Sequence, residues 1–272
     1  MSSINSAKSN SIIDKFLRYF FAKNFIINFI FVIIKHLNRF LSNLVFIKFK
    51  LNLYQKCEVL TGPFKGLKYS EPTSVCGPIL PKLLGTYESE LIPIINLISK
   101  RNYNTIYNIG AAEGYYAIGF SMIFKNSIIK AYEIDKEGFK FLKQNVKINN
   151  KDKKIQCINS FANSDIKKIT NEENNLIFSD CEGCEFEIFD EDVLKNLNSS
   201  DLIIEIHSND FKETLIEKKL KKTHSVHRIG YGKTRMIDTT EANNYDIDFI
   251  NLSKISRENR TEFHYFLIAL SI

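Results

Sequence analysis

From residue 104 onward the chain alternates short apolar, β-rich runs with segments of helix length, and this alternation restricts the fold more than any other feature. Thr105–Ile109 reads as a strand, Tyr115–Phe124 as a helix, Ile128–Tyr132 as a strand, and Glu137–Asn149 as a helix with Phe139, Leu142 and Val146 on one face. Ile155–Asn159, Leu176–Ser179 and Leu202–Ile206 are further strands, and Ser225–Ile229 reads as a sixth. Strands separated by helix-length connections imply parallel pairing through right-handed crossovers. The expectation is a doubly wound α/β sheet, whose ligands sit at the carboxyl ends of its strands.

Residues 1–56 are a different kind of polypeptide. Residues 1–50 carry eight basic side chains against the single acid Asp14, a net +7, so the other 222 residues of a chain of formal charge +6 net only −1. Residues 1–10 are polar, and Ile12 to Phe49 contain no Gly or Pro and nine of the 22 phenylalanines, which predicts one or two helices. Asn24, Asn28, Lys35 and Arg39 share a stripe with Arg18 nearby, on an otherwise apolar surface. The longest uncharged run, Asn24–Ile34, spans roughly 17 Å against a hydrocarbon core of about 30 Å. The arm therefore reads as a basic helix lying on an anionic membrane surface or gripping a partner protein, with packing on its own domain or in a dimer as the alternative. All five prolines lie between Pro63 and Pro93, and the first glycine is Gly62, so a boundary falls after residue 56. Residues 57–100 follow as a cap, with a hairpin over Val59–Tyr69 and a helix over Glu88–Lys100.

The chemistry-bearing residues cluster after the strands. Asn108-Ile-Gly110-Ala-Ala112-Glu-Gly114 follows the first strand and opens a helix. A dinucleotide fingerprint would want glycines at 110, 112 and 115, and only Gly110 fits; the G-x-G-x-G turn of S-adenosylmethionine enzymes fits at Gly110 and Gly114, with the small Ala112 between. Such a turn brings backbone close to a ligand and aims helix N–H groups at it. Glu133 stands just past the second strand, 23 residues after Gly110, where a carboxylate accepts ribose hydroxyls; Asp135 is the second candidate. After the fourth strand comes Asp180-Cys-Glu182-Gly-Cys184-Glu185, and the fifth leads into Glu205-Ile-His207.

Taken together, N-I-G-A-A-E-G-Y-Y-A, Y-E-I-D, D-C-E-G-C-E and I-I-E-I-H resemble the FkbM-type family of S-adenosylmethionine-dependent methyltransferases, as do Gly62-Pro-Phe-Lys-Gly-Leu67 and the segment Pro81–Leu91 upstream. The resemblance covers about residues 58–271. It implies a Rossmann-like class I methyltransferase domain over 101–272, with a mostly parallel sheet whose last strand, Phe263–Leu270, is antiparallel. It also implies a cofactor site formed by Asn108, Gly110, Ala112, Gly114, Glu133 and Asp180, with Ser160, Phe161, Ala162 and Asn163 beside the adenine.

Methyl transfer to oxygen requires alignment of the acceptor and removal of its proton. His207 suits the second task, with Asp180 and Glu205 as its catalytic neighbours. Glu182 and Glu185 complete an acidic rim suited to a polyol. That rim also has the chemistry for a divalent cation, but S-adenosylmethionine is the cofactor expected and no metal is assigned. Cys181-x-x-Cys184 lacks the second pair a zinc site needs, so its thiols read as structural, and five cysteines in a chain of this length fit a reducing cytoplasm. His224 and His227 read as strand-surface residues, and Arg257 and Arg260 as solvated charges. The function expected is O-methylation of a sugar or a polysaccharide- or glycolipid-linked saccharide, in the cytoplasm or peripherally at the inner face of the membrane. A non-catalytic membrane-surface or complex-forming protein is one alternative, and a nucleic-acid or protein methyltransferase another. The body's −1 charge argues against nucleic acid as a partner.

Overall fold

A computed structural model describes residues 4–162, 165, 169, 173–207, 211–230 and 265–272; the side chains of residues 4–14, 16–18, 20–28 and 211–214 lie outside the description. Asn163, Arg257 and Arg260 lie outside the described residues, as does the start of the expected last strand at Phe263. The chain divides into two units, Met1–Phe49 and Lys50–Ile272.

The first unit lies in a single helix, α1 (Ile4–Lys56), the simpler of the two expectations, and it begins inside the polar stretch before Ile12. Nothing in the sequence stops it, because residues 4–56 include neither of the two strong helix breakers, Gly and Pro. Phe29, Phe31, Ile33, Ile34, Phe40 and Leu41 are exposed along it. By length and composition alone, Phe29–Lys56 is long and apolar enough to cross a membrane, with a mean hydropathy of 1.5. An uncharged-run criterion misses this, because Lys35 and Arg39 interrupt the run while sharing one side of the helix.

In the second unit the expected hairpin over Val59–Tyr69 is reduced to one bridge, Glu58 with Lys68, closed by Val59 N–H to Leu67 O at 2.8 Å. The single helix expected over Glu88–Lys100 is instead a 3-10 turn, Ser89–Leu91, followed by α3 (Ile92–Ile98); an unanticipated α2 (Ile79–Leu84) precedes both. Pro93 is accommodated in the first turn of α3, where its missing N–H costs nothing, and Glu88 enters with a left-handed φ of 47°.

The sheet then builds from β1 (Thr105–Ile109), β2 (Ile128–Tyr132), β3 (Ile155–Ile158), β4 (Leu176–Ser179), β5 (Asp201–Ile206), β6 (His224–Gly230) and β7 (Tyr265–Ser271). Between them lie α4 (Tyr115–Ile123), α5 (Lys136–Ile148), α6 (Glu185–Ile188), α7 (Glu191–Lys195) and α8 (Phe211–Leu220). Strand order is β3-β2-β1-β4-β5-β7-β6, with β1 to β5 parallel and β7 antiparallel to both β5 and β6. This is the doubly wound, Rossmann-like sheet expected from the sequence, with its last strand antiparallel. Its order reverses between β1 and β4, which is where such sheets open a ligand crevice.

Strand alternation gives the sheet two apolar faces. Tyr107, Ile109, Ile177, Leu202 and Ile204 pack on one side. On the other, Phe178 meets Tyr116 at 4.1 Å between ring centroids, and Phe64 and Phe120 join them. Gly119 of α4 is required here, since a Cβ would come within 2.4 Å of the Phe64 ring. Fully burying each such ring stabilises by roughly 1.5–3 kcal/mol. At the opposite edge of the strands, buried Asp201 accepts from Arg101 Nη1 at 2.9 Å, Tyr103 Oη at 2.5 Å and Ser271 N at 2.8 Å, tying the lead-in to β1 to the starts and ends of β5 and β7.

Candidate functional site

The turn after β1 has its unusual backbone where the sequence has its small residues. Gly110, Ala112 and Gly114 all adopt positive φ, at 76°, 47° and 98°. At Gly110 no side chain fits, because a Cβ would lie 1.8 Å from the Asp180 carbonyl oxygen across the β1–β4 junction. Ala112 tolerates the left-handed conformation at a cost of order 1 kcal/mol, and Glu133 from the end of β2 holds it there. Glu133 Oε2 accepts from Ala112 N at 2.6 Å, and its Oε1 accepts from Asp135 N at 2.7 Å. The carboxylate is thus fixed by two amides, with lone pairs left over.

These residues wall a cavity of about 530 Å³ at the β1–β4 switch. Gly110, Ala112, Glu133, Phe161, Asp180 and Glu182 line it, among the residues the sequence marks for cofactor or acceptor. A glycine that only backbone can approach, a carboxylate fixed beside it and an aromatic ring suit an adenosine ligand.

Not all of the remaining sequence candidates border the cavity. Asn108 is buried beneath the turn, and neither amide atom has a hydrogen-bond partner. Gly114 packs against Leu142 and Ile118 at the start of α4. Ser160 and Ala162 are exposed and outside the cavity lining. Asp135 caps α5, accepting from Gly138 N at 2.7 Å, in addition to bordering the cavity.

Beyond β4 and β5 a second group of polar side chains gathers. His207 Nδ1 lies 3.0 Å from Glu185 Oε1, while its Nε2 faces Asp180 Oδ1 at 3.4 Å, Glu182 Oε2 at 3.4 Å and Glu205 Oε1 at 3.6 Å. Glu185, expected on the rim, is instead 1% exposed and lies under the imidazole. The reason is local: Glu182 and Gly183 take positive φ, at 54° and 110°, and this turn folds Glu185 back so that its Oε1 also accepts from Gly183 N at 3.2 Å.

Burial opposes ionisation throughout this group. Burial first, then Glu205, Glu88 and Glu182, push the Asp180 carboxyl well above the usual carboxylate range. For His207, burial works against the imidazolium but is outweighed by Glu185, Glu205 and Glu182, so its pKa lies above the ordinary value. Burial would raise Glu185 too, yet its bond to His207 and the backbone amides bring it below its usual range.

The thiols expected at Cys181 and Cys184 are joined in a disulfide, because the same turn brings their Cα atoms to 5.5 Å, inside the range a bridge needs. Sequence reasoning also missed the loop above the cavity. Val75 and Cys76 line it, held by Glu113, which accepts from Ser74 Oγ at 2.8 Å and pairs with the buried Lys82. A Lys and a Glu 31 positions apart in separate segments carry no sequence signal of contact.

No protein-family model matches the chain, and no curated protein matches it. Among solved structures it is similar to a human methyltransferase 10 domain containing protein, at 13% identity over 80% of this chain and 94% of that one, with a TM-score of 0.49. It is also similar to an O-methyltransferase from Bacillus cereus in complex with SAH, at 14% identity over 74% and 84%, TM-score 0.44. A third is a precorrin-6y C5,15-methyltransferase from Geobacter metallireducens GS-15, at 13% identity over 66% and 87%, TM-score 0.41.

Proposed function

We propose that the β1–β4 cavity binds S-adenosylmethionine and that the chain methylates a hydroxyl of a sugar or of a polysaccharide- or glycolipid-linked saccharide. The observation that carries this reading is the adjacency of two sites through one residue. Asp180 lines the adenosine-sized cavity and also faces His207. When bound, S-adenosylmethionine supplies a methyl group on a cationic sulfur, which leaves with the C–S electron pair as the acceptor oxygen bonds to carbon and its proton departs.

The residues divide this work. Gly110 and Ala112 let backbone approach the ligand, and Glu133, already fixed by two amides, has lone pairs for ribose hydroxyls. Glu182, the most exposed of the acids around His207, is available to a polyol, and the Asp180–Glu205–His207 group receives the acceptor's proton. An acidic cleft favours a neutral, hydroxyl-rich acceptor over a phosphate-rich one. A sugar hydroxyl fits that description.

For the arm, the reading is peripheral attachment to an anionic membrane surface, which would hold the enzyme near a lipid-linked acceptor at the inner face. It is supported by the exposed Phe and Ile of α1 together with its Lys and Arg residues. Transfer of radiolabelled methyl from S-adenosylmethionine into a cell-surface glycan extract tests the acceptor class. Label appearing only in protein or nucleic acid would refute it.

A further inference from the structure

On the sheet face that carries Asn108 and Phe178, three donors of different chemistry converge: Asp180 past the end of β4, Glu205 in β5 and His207 just beyond it. One ligand atom from each lies within 4.8 Å of the others. The tautomer of His207 matters here. With Nδ1–H donated to Glu185 Oε1 at 3.0 Å, Nε2 carries a lone pair, and that lone pair faces carboxylate oxygens of Asp180, Glu182 and Glu205 at 3.4–3.6 Å. Three carboxylates gathered on Nε2 call for positive charge between them, which either a proton on the imidazole or a bound metal ion supplies.

A second observation points to the same missing charge. Asp180 Oδ1, the oxygen nearest to Nε2, is enclosed without a hydrogen-bond partner. Buried oxygens are ordinarily satisfied, because an unpaired one has lost its hydration with nothing in exchange, and more so when it is charged.

We propose that Asp180, Glu205 and His207 Nε2 bind one divalent cation, with Glu182 closing over it and Glu185 orienting the imidazole from behind. Two carboxylates and one imidazole suit an oxygen-preferring first-row ion of the Mn²⁺ class rather than zinc, whose closed sites favour sulfur and nitrogen. The Glu185–His207 pair is the carboxylate–histidine arrangement that fixes the tautomer of metal-bound histidines. This goes beyond the expectation of S-adenosylmethionine as sole cofactor. For the ion's role, acidifying the acceptor hydroxyl, it rests on the methyl-transfer reading; for its binding it does not.

The test is titration of Mn²⁺ into the chelator-treated full chain, following free Mn²⁺ by electron paramagnetic resonance, with S-adenosylmethionine binding measured separately by calorimetry on the same metal-free sample. One saturable Mn²⁺ per chain is expected, with nitrogen coupling from one imidazole in the bound signal. His207→Ala should abolish that coupling, and Asp180→Asn should weaken binding at least tenfold. Glu185→Gln should weaken it roughly 10–100-fold by loosening the imidazole, with the coupling retained. Asp180 is partly exposed, so its variant reports even where one at buried Glu205 misfolds. No saturable Mn²⁺, or binding unchanged in His207→Ala, overturns the inference whether or not S-adenosylmethionine binds. Mn²⁺ bound as described without S-adenosylmethionine binding would overturn the methyl-transfer reading and leave the cation site standing.

Discussion

Glu185 Oε1 and His207 Nδ1 are 3.0 Å apart, with the carboxylate 1% exposed and the imidazole presenting its other nitrogen to the acidic cleft. The pair links the turn after β4 to the end of β5, so it fixes the geometry of the acceptor side. Replacing His207 with Ala should lower methyl transfer about 10²–10⁴-fold, because it removes the imidazole that either takes the acceptor's proton itself or holds the ion that acidifies it, while S-adenosylmethionine affinity stays within a factor of two or so. Steady-state rates alongside calorimetry measure both.

Glu133 makes the opposite split. Its carboxylate receives two backbone amides and borders the cavity, so Glu133→Gln should weaken S-adenosylmethionine binding by about 10–100-fold. That corresponds to one charge-assisted hydrogen bond of about 1.5–3 kcal/mol. Turnover at saturating cofactor should change far less.

Asp201 predicts a stability effect without a functional one. It is 1% exposed and accepts from Arg101, Tyr103 and Ser271. Asp201→Ala should destabilise the second unit by about 2–3 kcal/mol in urea unfolding, below the figure for a fully buried ion pair because the Arg101 side chain is 39% exposed.

The cysteines give a pH-dependent prediction. Unfolded without reductant, the chain should show three reactive thiols, Cys57, Cys76 and Cys157, with Cys181 and Cys184 joined. In the folded protein, burial pushes the Cys76 thiol up to about 12 despite Lys82 nearby, so its thiolate is scarce at pH 8 and becomes abundant only as pH rises toward that value. Alkylation of Cys76 at pH 8 should therefore be slower than that of an unperturbed thiol by at least a hundredfold, as mass spectrometry would record.

For the arm, full-length protein should sediment with anionic phospholipid vesicles and much less with neutral ones, since each Lys or Arg near such a surface is worth about 1 kcal/mol. Protein beginning at residue 50 should lose at least tenfold of that binding.

The sheet was legible because strands such as Thr105–Ile109 and Leu176–Ser179 are buried on both faces, and their short, mostly apolar runs end where the strands end. The small residues at 110, 112 and 114 were legible for a related reason: each sits at a positive φ that larger side chains avoid. What stayed hidden depends on turns and distant partners. The D-C-E-G-C-E run does not reveal that Glu182 and Gly183 reverse the chain, and that reversal both buries Glu185 and closes the disulfide. The helical arm was legible from its lack of Gly and Pro, but its ends were not, because no breaker or cap marks where its 53 residues start and stop.

Calorimetric titration of S-adenosylmethionine into the full chain and into a Gly110→Val variant decides whether the β1–β4 cavity is the S-adenosylmethionine site proposed above. A Cβ at Gly110 would collide with the Asp180 carbonyl, displacing the turn that forms the cavity wall. Saturable one-to-one binding to the native chain and its loss in Gly110→Val are expected, with circular dichroism confirming that the variant folds. No binding to the native chain, or equal affinity in a folded Gly110→Val, would rule the site out.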